Sequence, residues 1–256
     1  MTSMDKLELL HIPYSPWSEK ARFALGVRNI AYVSRIYQPI LGELPLRLRL
    51  QKLTGRVSVP VLFTPDGPVE DSFAIARWAA AHGSGPELFP SGAEAEIGRW
   101  NAVSERALAA GRALSLGRVL GDREALLEMV PKGLRGVLGS LGVKVAAAGV
   151  RRTLRKYDAI GKEHARGLVE AFGELRRGIL AAPANEVGPR YLLGQLTYAD
   201  IAAAQVVAFI APPTTGLRIG PANRRAFTDA TLGAQWADLV RWRDALYARH
   251  RATPTG

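Results

Sequence analysis

The hydrophobic pattern changes character near residue 83, and that change limits what this 256-residue chain can fold into. Before it, short apolar runs alternate with helical stretches. Leu7 to Ile12 reads as a strand, Pro16 to Val27 as a helix and Ala31 to Tyr37 as a second strand. Leu41 to Leu53 carries leucines at helical spacing, and Val59 to Phe63 is a compact apolar strand. Asp66-Gly67 is a turn dipeptide, so Val61–Phe63 and Pro68–Val69 form a hairpin. Ser72 to Ala81 is a third helix, and the order is β-α-β-α-β-β-α.

Residues 83–93 hold three Gly, two Pro and two Ser, a linker composition. Beyond them no strand pattern appears. Glu94 to Leu120 and Glu163 to Leu180 read as helices. In the second, Leu168, Phe172, Leu175 and Ile179 share one face. Ile201 to Ile210 is apolar all round, as in a helix at a domain centre, and Trp236 to His250 closes the chain as an amphipathic helix. The division this implies is an α/β domain over 1–83, a linker over 84–93 and an all-helical domain over 94–256.

Composition removes several chemistries. The chain has no cysteine, which excludes disulfides, thiolate metal sites and a protein thiol nucleophile. Its four histidines are scattered without metal-ligand spacing, so no metal is expected. The N-terminus lacks the basic start and apolar core of a signal peptide. The longest apolar run, Ile201 to Pro213, is shorter than the about 20 residues a membrane helix needs. A soluble, cytoplasmic protein is the expectation. Net charge is +11, which favours acidic partners. Residues 112–166 hold 12 Lys/Arg against 5 Asp/Glu, so +7 of the excess lies in one stretch.

The segment from Tyr14 to Leu25 is the most informative. Ser15 follows the first strand, and Pro16 suits the first position of a helix, so Ser15 is a natural N-cap. A helix N-terminus also offers free N–H groups and partial positive charge, which favour an anion such as a thiolate. Ser15, Pro16, Lys20, Arg22 and Leu25 match the pattern Ser/Cys-Pro-x-x-x-Arg/Lys-x-Arg-x-x-Leu. The segment thereby resembles the active-site motif of glutathione transferases, in particular the tau, zeta and omega classes. The resemblance implies that Ser15 is the catalytic serine, with Tyr14 and Ser18 as alternatives. It implies too that the cysteine-dependent route of omega-like members is closed.

Three further segments fit the same family. Proline at the start of the apolar run Val59-Pro60-Val61 is unusual for a strand, and a cis Val59–Pro60 bond would explain it. The resemblance gives Val59 and Pro60 the cysteinyl part of glutathione. Glu70-Asp71-Ser72 opens the third helix. The resemblance gives Ser72 the γ-glutamyl carboxylate and an acidic neighbour the glutamyl amine. Asp71 stands where the family has a longer acid, and Glu70 lies beside it. Thr197 and Asp200 have capping-box spacing, as at the buried helix of the family's second domain.

The fold implied is a thioredoxin-like domain followed by an all-α domain. The activity implied is attack of the glutathione thiolate, glutathione being a cosubstrate, on a hydrophobic and conceivably anionic electrophile. A non-catalytic binder of a hydrophobic ligand or protein partner is the alternative. The pocket would involve the long helix near Trp100 to Leu116, and the family implies a homodimer, with Arg77 and Trp78 as contributors. The glycine-rich basic stretch 131–156 is not explained by the family pattern. It reads as a solvated helix face, with a pocket wall or a membrane-surface contact as alternatives. Nucleic acid is not expected, since the only aromatic in that cluster is Tyr157.

Overall fold

A computed structural model describes residues 6–39, 42–130, 133, 135–156 and 162–251. Part of the N-terminal stretch read for a signal peptide, together with Lys132 and Tyr157, lies outside the described residues. The first region follows the order read from the sequence: β1 (Glu8–His11), α1 (Pro16–Val27), β2 (Val33–Ile36), α2 (Glu43–Arg49), β3 (Val61–Thr64), β4 (Gly67–Glu70) and α3 (Ser72–His82). The four strands form one mixed sheet in the order β2-β1-β3-β4. β1 runs parallel to β2 and antiparallel to β3, which forms a hairpin with β4.

Alternation along the strands decides which helix covers which face. Leu9 and Leu62 are register partners and pack with Ala21, Leu25, Ile75 and Ala79 of α1 and α3. Leu10 and Val61, the next pair, face the other side, where Leu46 and Leu50 at the end of α2 cover them. The result is a three-layer thioredoxin-like domain.

The helical region consists of α4 (Glu94–Gly121), α5 (Arg123–Met129), α6 (Arg135–Lys156), α7 (Lys162–Ala181), α8 (Tyr198–Ala204), α9 (Pro221–Phe227), α10 (Ala230–Gln235) and α11 (Ala237–His250). The central helix α4 packs against α7 and α8 around a core that includes Phe172, Leu175 and Trp242. Trp100 crosses under α7 so closely that no side chain fits at Gly178. The expected single helix over Ile201–Ile210 ends at Ala204, and tight turns carry the chain through to Ile210. The whole stretch is buried, so its uniform hydrophobicity marked depth and not helical length. At the start of α8 the Asp200 carboxylate accepts from the N–H groups of Thr197 (2.9 Å) and Leu192 (2.8 Å). Burial pushes the Asp200 pKa up to about 6.

Buried charge joins the two regions through α1. Glu19 is fully buried and accepts from Arg22, three residues on, and from Arg251 after the last helix, at 2.7 and 2.6 Å. Arg22 also donates to the Gly216 carbonyl at 3.0 Å and to His11 at 2.8 Å. Lys20, equally buried, reaches Glu105 (2.6 Å) and Asn101 (3.2 Å) on α4. Arg28 donates to the carbonyls of Ala80 (2.9 Å) and Pro86 (2.8 Å), so the stretch with linker composition is held at the end of α1.

Removing Arg251 takes one of two cations from the buried Glu19 and leaves it Arg22. Arg251→Ala is therefore expected to destabilise the protein by about 2 kcal/mol, the worth of a hydrogen bond to a charged group. Arg241→Ala, on the last helix and without a described ion pair, should change stability by less than about 0.5 kcal/mol. Urea unfolding of both variants checks the difference; equal midpoints would contradict the assignment.

Candidate functional site

A cavity of 920 Å³ opens between the sheet domain and the helical region. Its sheet-domain wall is made where three chain segments end: the β1–α1 loop, the turn before β3 and the start of α3. Ser15, Val59, Pro60, Asp71 and Ser72 all line it, so five residues singled out in the sequence lie on one wall.

The first segment gives the wall an electropositive end. Ser15 has extended backbone (φ −89°, ψ 124°) and Pro16 starts α1. The expectation that the Ser15 side chain caps α1 is corrected: its hydroxyl makes no cap hydrogen bond. Ser18 takes up the local role, its buried Oγ accepting from the Ile12 N–H at 3.1 Å. That interaction holds the β1–α1 loop closed and keeps Ser18 off the cavity lining. Tyr14 does line the cavity, edge-on to Phe227 with ring centroids 6.5 Å apart. Burial pushes the Tyr14 hydroxyl pKa up to about 12, so it stays protonated at neutral pH.

The second segment carries a cis Val59–Pro60 bond, and β3 begins one residue later, at Val61. In the third, Asp71 caps α3 by accepting from the N–H groups of Phe73 (2.6 Å) and Ala74 (3.0 Å). Ser72 is thus the first residue of the helix and not its cap. Asp71 stands at φ 65°, ψ 159°, a region occupied almost only by glycine and costing about 1–3 kcal/mol. Glu70 ends β4, and its carboxylate pairs with Lys52.

The opposite wall is largely apolar. α4 contributes Asn101, Glu105, Ala109, Arg112 and Leu116, which follow one another at helical spacing. Trp100, expected near the pocket, belongs to the core instead. Trp17 stands between the walls. Its Nε1–H donates to Glu105 at 2.7 Å and the Arg112 guanidinium lies 4.6 Å from its ring. Lys20 supports Glu105 from below; burial lowers its pKa and Glu105 opposes that shift. α6 closes the cavity with Gly142, Val145, Ala146, Gly149, Val150, Arg152 and Thr153. The basic stretch is therefore a wall of the cavity on one face, and not solely a solvated helix.

Trp17, Glu105 and Arg112 were not singled out in the sequence. The signal was present: Asn101, Glu105 and Arg112 put three polar side chains on one face of a long helix, at spacings of four and seven. Among the described residues no group of His, Asp and Glu side chains has metal-binding geometry, and no helix is long and apolar enough to cross a membrane. Arg77 stacks over Phe73 (4.9 Å) and Phe89 (4.8 Å), and Trp78 stacks on His82 at 4.2 Å.

Residues 9–87 match the family model described as "Glutathione S-transferase, N-terminal domain". Residues 9–87 are thereby similar to the N-terminal domain of that family. No significant match to a curated protein is found. Among solved structures the chain is similar to a glutathione transferase of Phanerochaete chrysosporium, with 16% identity, 97% of this chain and 95% of that one covered, and a TM-score of 0.59. It is also similar to a glutathione S-transferase of Ceriporiopsis subvermispora in complex with glutathione, with 17% identity, 98% and 100% coverage, and a TM-score of 0.59. A maleylacetoacetate isomerase of Anaeromyxobacter dehalogenans with bound glutathione aligns at 19% identity, 95% and 91% coverage, and a TM-score of 0.51. The chain therefore has the glutathione S-transferase fold from end to end, with the helical region included.

The strain at Asp71 generates a test specific to this site. Asp71→Ala loses the cap and keeps the unfavourable φ, and should cost about 1–2 kcal/mol. Asp71→Gly loses the same cap but relieves the backbone, so it should be at least as stable as the parent. Thermal unfolding of the pair checks the order; if the glycine variant is the weaker of the two, the strained conformation is not what the protein adopts.

Proposed function

We propose that this chain is a glutathione S-transferase that activates the glutathione thiol with Ser15. The observation that carries the reading is the convergence of Ser15, Val59–Pro60 and Asp71–Ser72 on one wall of a cavity whose other wall is apolar. Solved structures of the same fold that hold glutathione support it.

In this reading the glutathione backbone lies along the sheet-domain wall. The γ-glutamyl carboxylate meets the Ser72 hydroxyl at the start of α3, where the helix dipole favours an anion, the N–H groups of Phe73 and Ala74 being held by Asp71. Asp71 faces the glutamyl amine, and the Val59 main chain pairs with the cysteinyl residue. This leaves the sulfur at the N-terminus of α1. The thiol proton goes to solvent, and Ser15 Oγ–H donates to the resulting thiolate. A hydrogen bond to a charged group contributes about 1.5–3 kcal/mol. That lowers the thiol pKa by about 1–2 units from about 8.5, so the thiolate is well populated near neutral pH. The sulfur lone pair then forms a bond to the electrophilic carbon of a second ligand, and either the leaving group on that carbon departs with its bonding pair or, at an activated double bond, the π pair shifts to the far atom and takes a proton from water.

The second ligand occupies the apolar half of the cavity, between Tyr14, Trp17 and Phe209 and the α6 wall. A hydrophobic electrophile fits this lining. Arg112 and Arg152 add positive charge, which suits an anionic substituent.

Calorimetry with glutathione should find one site per chain, weakened about tenfold by Ser72→Ala, which removes one hydrogen bond to a charged group. Ser15→Ala should leave that affinity nearly unchanged. It should raise the pKa of bound glutathione by about 1–2 units and slow conjugation of a general electrophile. Binding without turnover in the parent protein would favour a non-catalytic ligand carrier. An unchanged pKa in Ser15→Ala would move the role to Tyr14.

We propose too that the protein is a homodimer related by a two-fold axis. Sedimentation at micromolar concentration should then give twice the chain mass of 27.6 kDa. A single species at the chain mass would contradict it.

A further inference from the structure

The helix α6 has three features that its role as a cavity wall does not require. It is interrupted at Gly139, which takes a non-helical conformation (φ 42°, ψ −119°). It packs chiefly on α5 and α4. Among its described side chains Ala147 and Val150 are buried and Val143, Ala146 and Leu154 partly buried, most of them small, whereas Leu141 and Val145 are about half exposed. Small side chains bury little apolar area, so lifting the helix exposes little. Finally, its far end is tied across the cavity mouth: Arg152 donates to Glu43 Oε2, on the first residue of α2, at 2.8 Å. Both partners line the cavity.

The Glu43 carboxylate has a second cation. Arg47, one turn along α2, donates to its Oε1 at 3.0 Å. When Arg152 leaves, Glu43 keeps Arg47 and gains water, while Arg152, with 56% of its side chain already exposed, is readily hydrated. The pair is therefore built to open without stranding a buried charge. A pair with one partner exposed and the other already held by a second cation contributes little, which suits a latch and not a permanent tie.

We infer that α6 is a lid hinged at Gly139 and latched to α2 by Arg152–Glu43, and that the second ligand and its product pass between the two helices. The inference rests on the reading that the cavity receives an apolar ligand beside glutathione. The basic charge of α6 then has a local purpose, in that one of its arginines closes the site against the other domain. Closing also excludes water from the sulfur once both ligands are in place.

The test uses the neutral fluorophore N-phenyl-1-naphthylamine, so that salt acts on the latch and not on the probe. Stopped-flow mixing gives its association and dissociation rates. Arg152→Gln and Glu43→Gln should each raise both rates about two- to fivefold, the factor such a pair is worth. High salt should speed the parent protein but not these variants. Arg155→Gln, which removes the same charge from the same helix without touching the pair, should leave the rates unchanged.

The absence of native cysteine permits a second measurement. In the double variant Glu43→Cys, Arg152→Cys, a short bifunctional methanethiosulfonate reagent bridges α2 and α6. Bridging should block probe exchange, and reduction should restore it. Equal exchange rates in the bridged and reduced protein would overturn the lid, as would single variants and salt that all leave the rates unchanged. If the parent protein binds no probe at all, it is the apolar-ligand reading that fails.

Discussion

Four charged side chains on α1 and its C-terminal flank, Glu19, Lys20, Arg22 and Arg28, are buried, and the site depends on where they hold the helix. A helix that begins with Pro16 at a cavity edge would, with a solvated charged face, be free to rock. Here Glu19 is clamped between Arg22 and Arg251, and Lys20 is drawn onto Glu105. Stranding any of these charges carries a large penalty. Few arrangements of the two regions satisfy them all. The N-terminus of α1 is thereby fixed relative to α4, and with it the distance from Ser15 to the apolar wall.

A second constraint on the site lies at the start of α3. Asp71 accepts an unfavourable φ so that its carboxylate caps α3 while Ser72 lines the cavity. With a relaxed backbone at residue 71, the first turn of α3 would enter the cavity at a different angle. Two helix N-termini then point at one tripeptide-sized wall, each supplying partial positive charge at one end of it. The apolar wall opposite has different origins: α4, a buried loop ending at Ile210, and the lid-like α6. In the proposed function, recognition of an anionic peptide and accommodation of an apolar partner would be handled by different parts of the chain.

Much of this was legible in the sequence because it depends on local rules. Short apolar runs pointed to β1 and β3 and alternation to β2, Asp66-Gly67 to the hairpin, and Pro16 to the start of α1 at the observed residue. Ser15, Val59, Pro60, Asp71 and Ser72 were singled out because the short motifs that hold them resemble those of glutathione transferases. The capping role assigned to the Ser15 side chain was not borne out, since its hydroxyl makes no cap hydrogen bond although Ser15 holds the N-cap position. What was not legible depends on tertiary placement. Glu19, Lys20 and Arg22 have the composition of a solvated face, and nothing local announces that Arg251 will pair with Glu19 and Glu105 with Lys20 in a buried setting. Uniform apolarity over Ile201–Ile210 reports burial, which a helix and a packed turn share. The role of α6 is invisible locally for the same reason, since a basic amphipathic helix looks alike whether it faces water or closes a cavity.

The central claim is that the α1 N-terminus and the wall from Val59 to Ser72 hold glutathione with its sulfur at Ser15. A crystal structure of the protein soaked with glutathione tests this most directly. The account predicts the sulfur within hydrogen-bonding distance of Ser15 Oγ, the cysteinyl main chain paired with Val59, and the γ-glutamyl carboxylate on Ser72 and the start of α3. Glutathione bound elsewhere, or in this cavity with its sulfur against Tyr14 and no contact to Ser15, would contradict it.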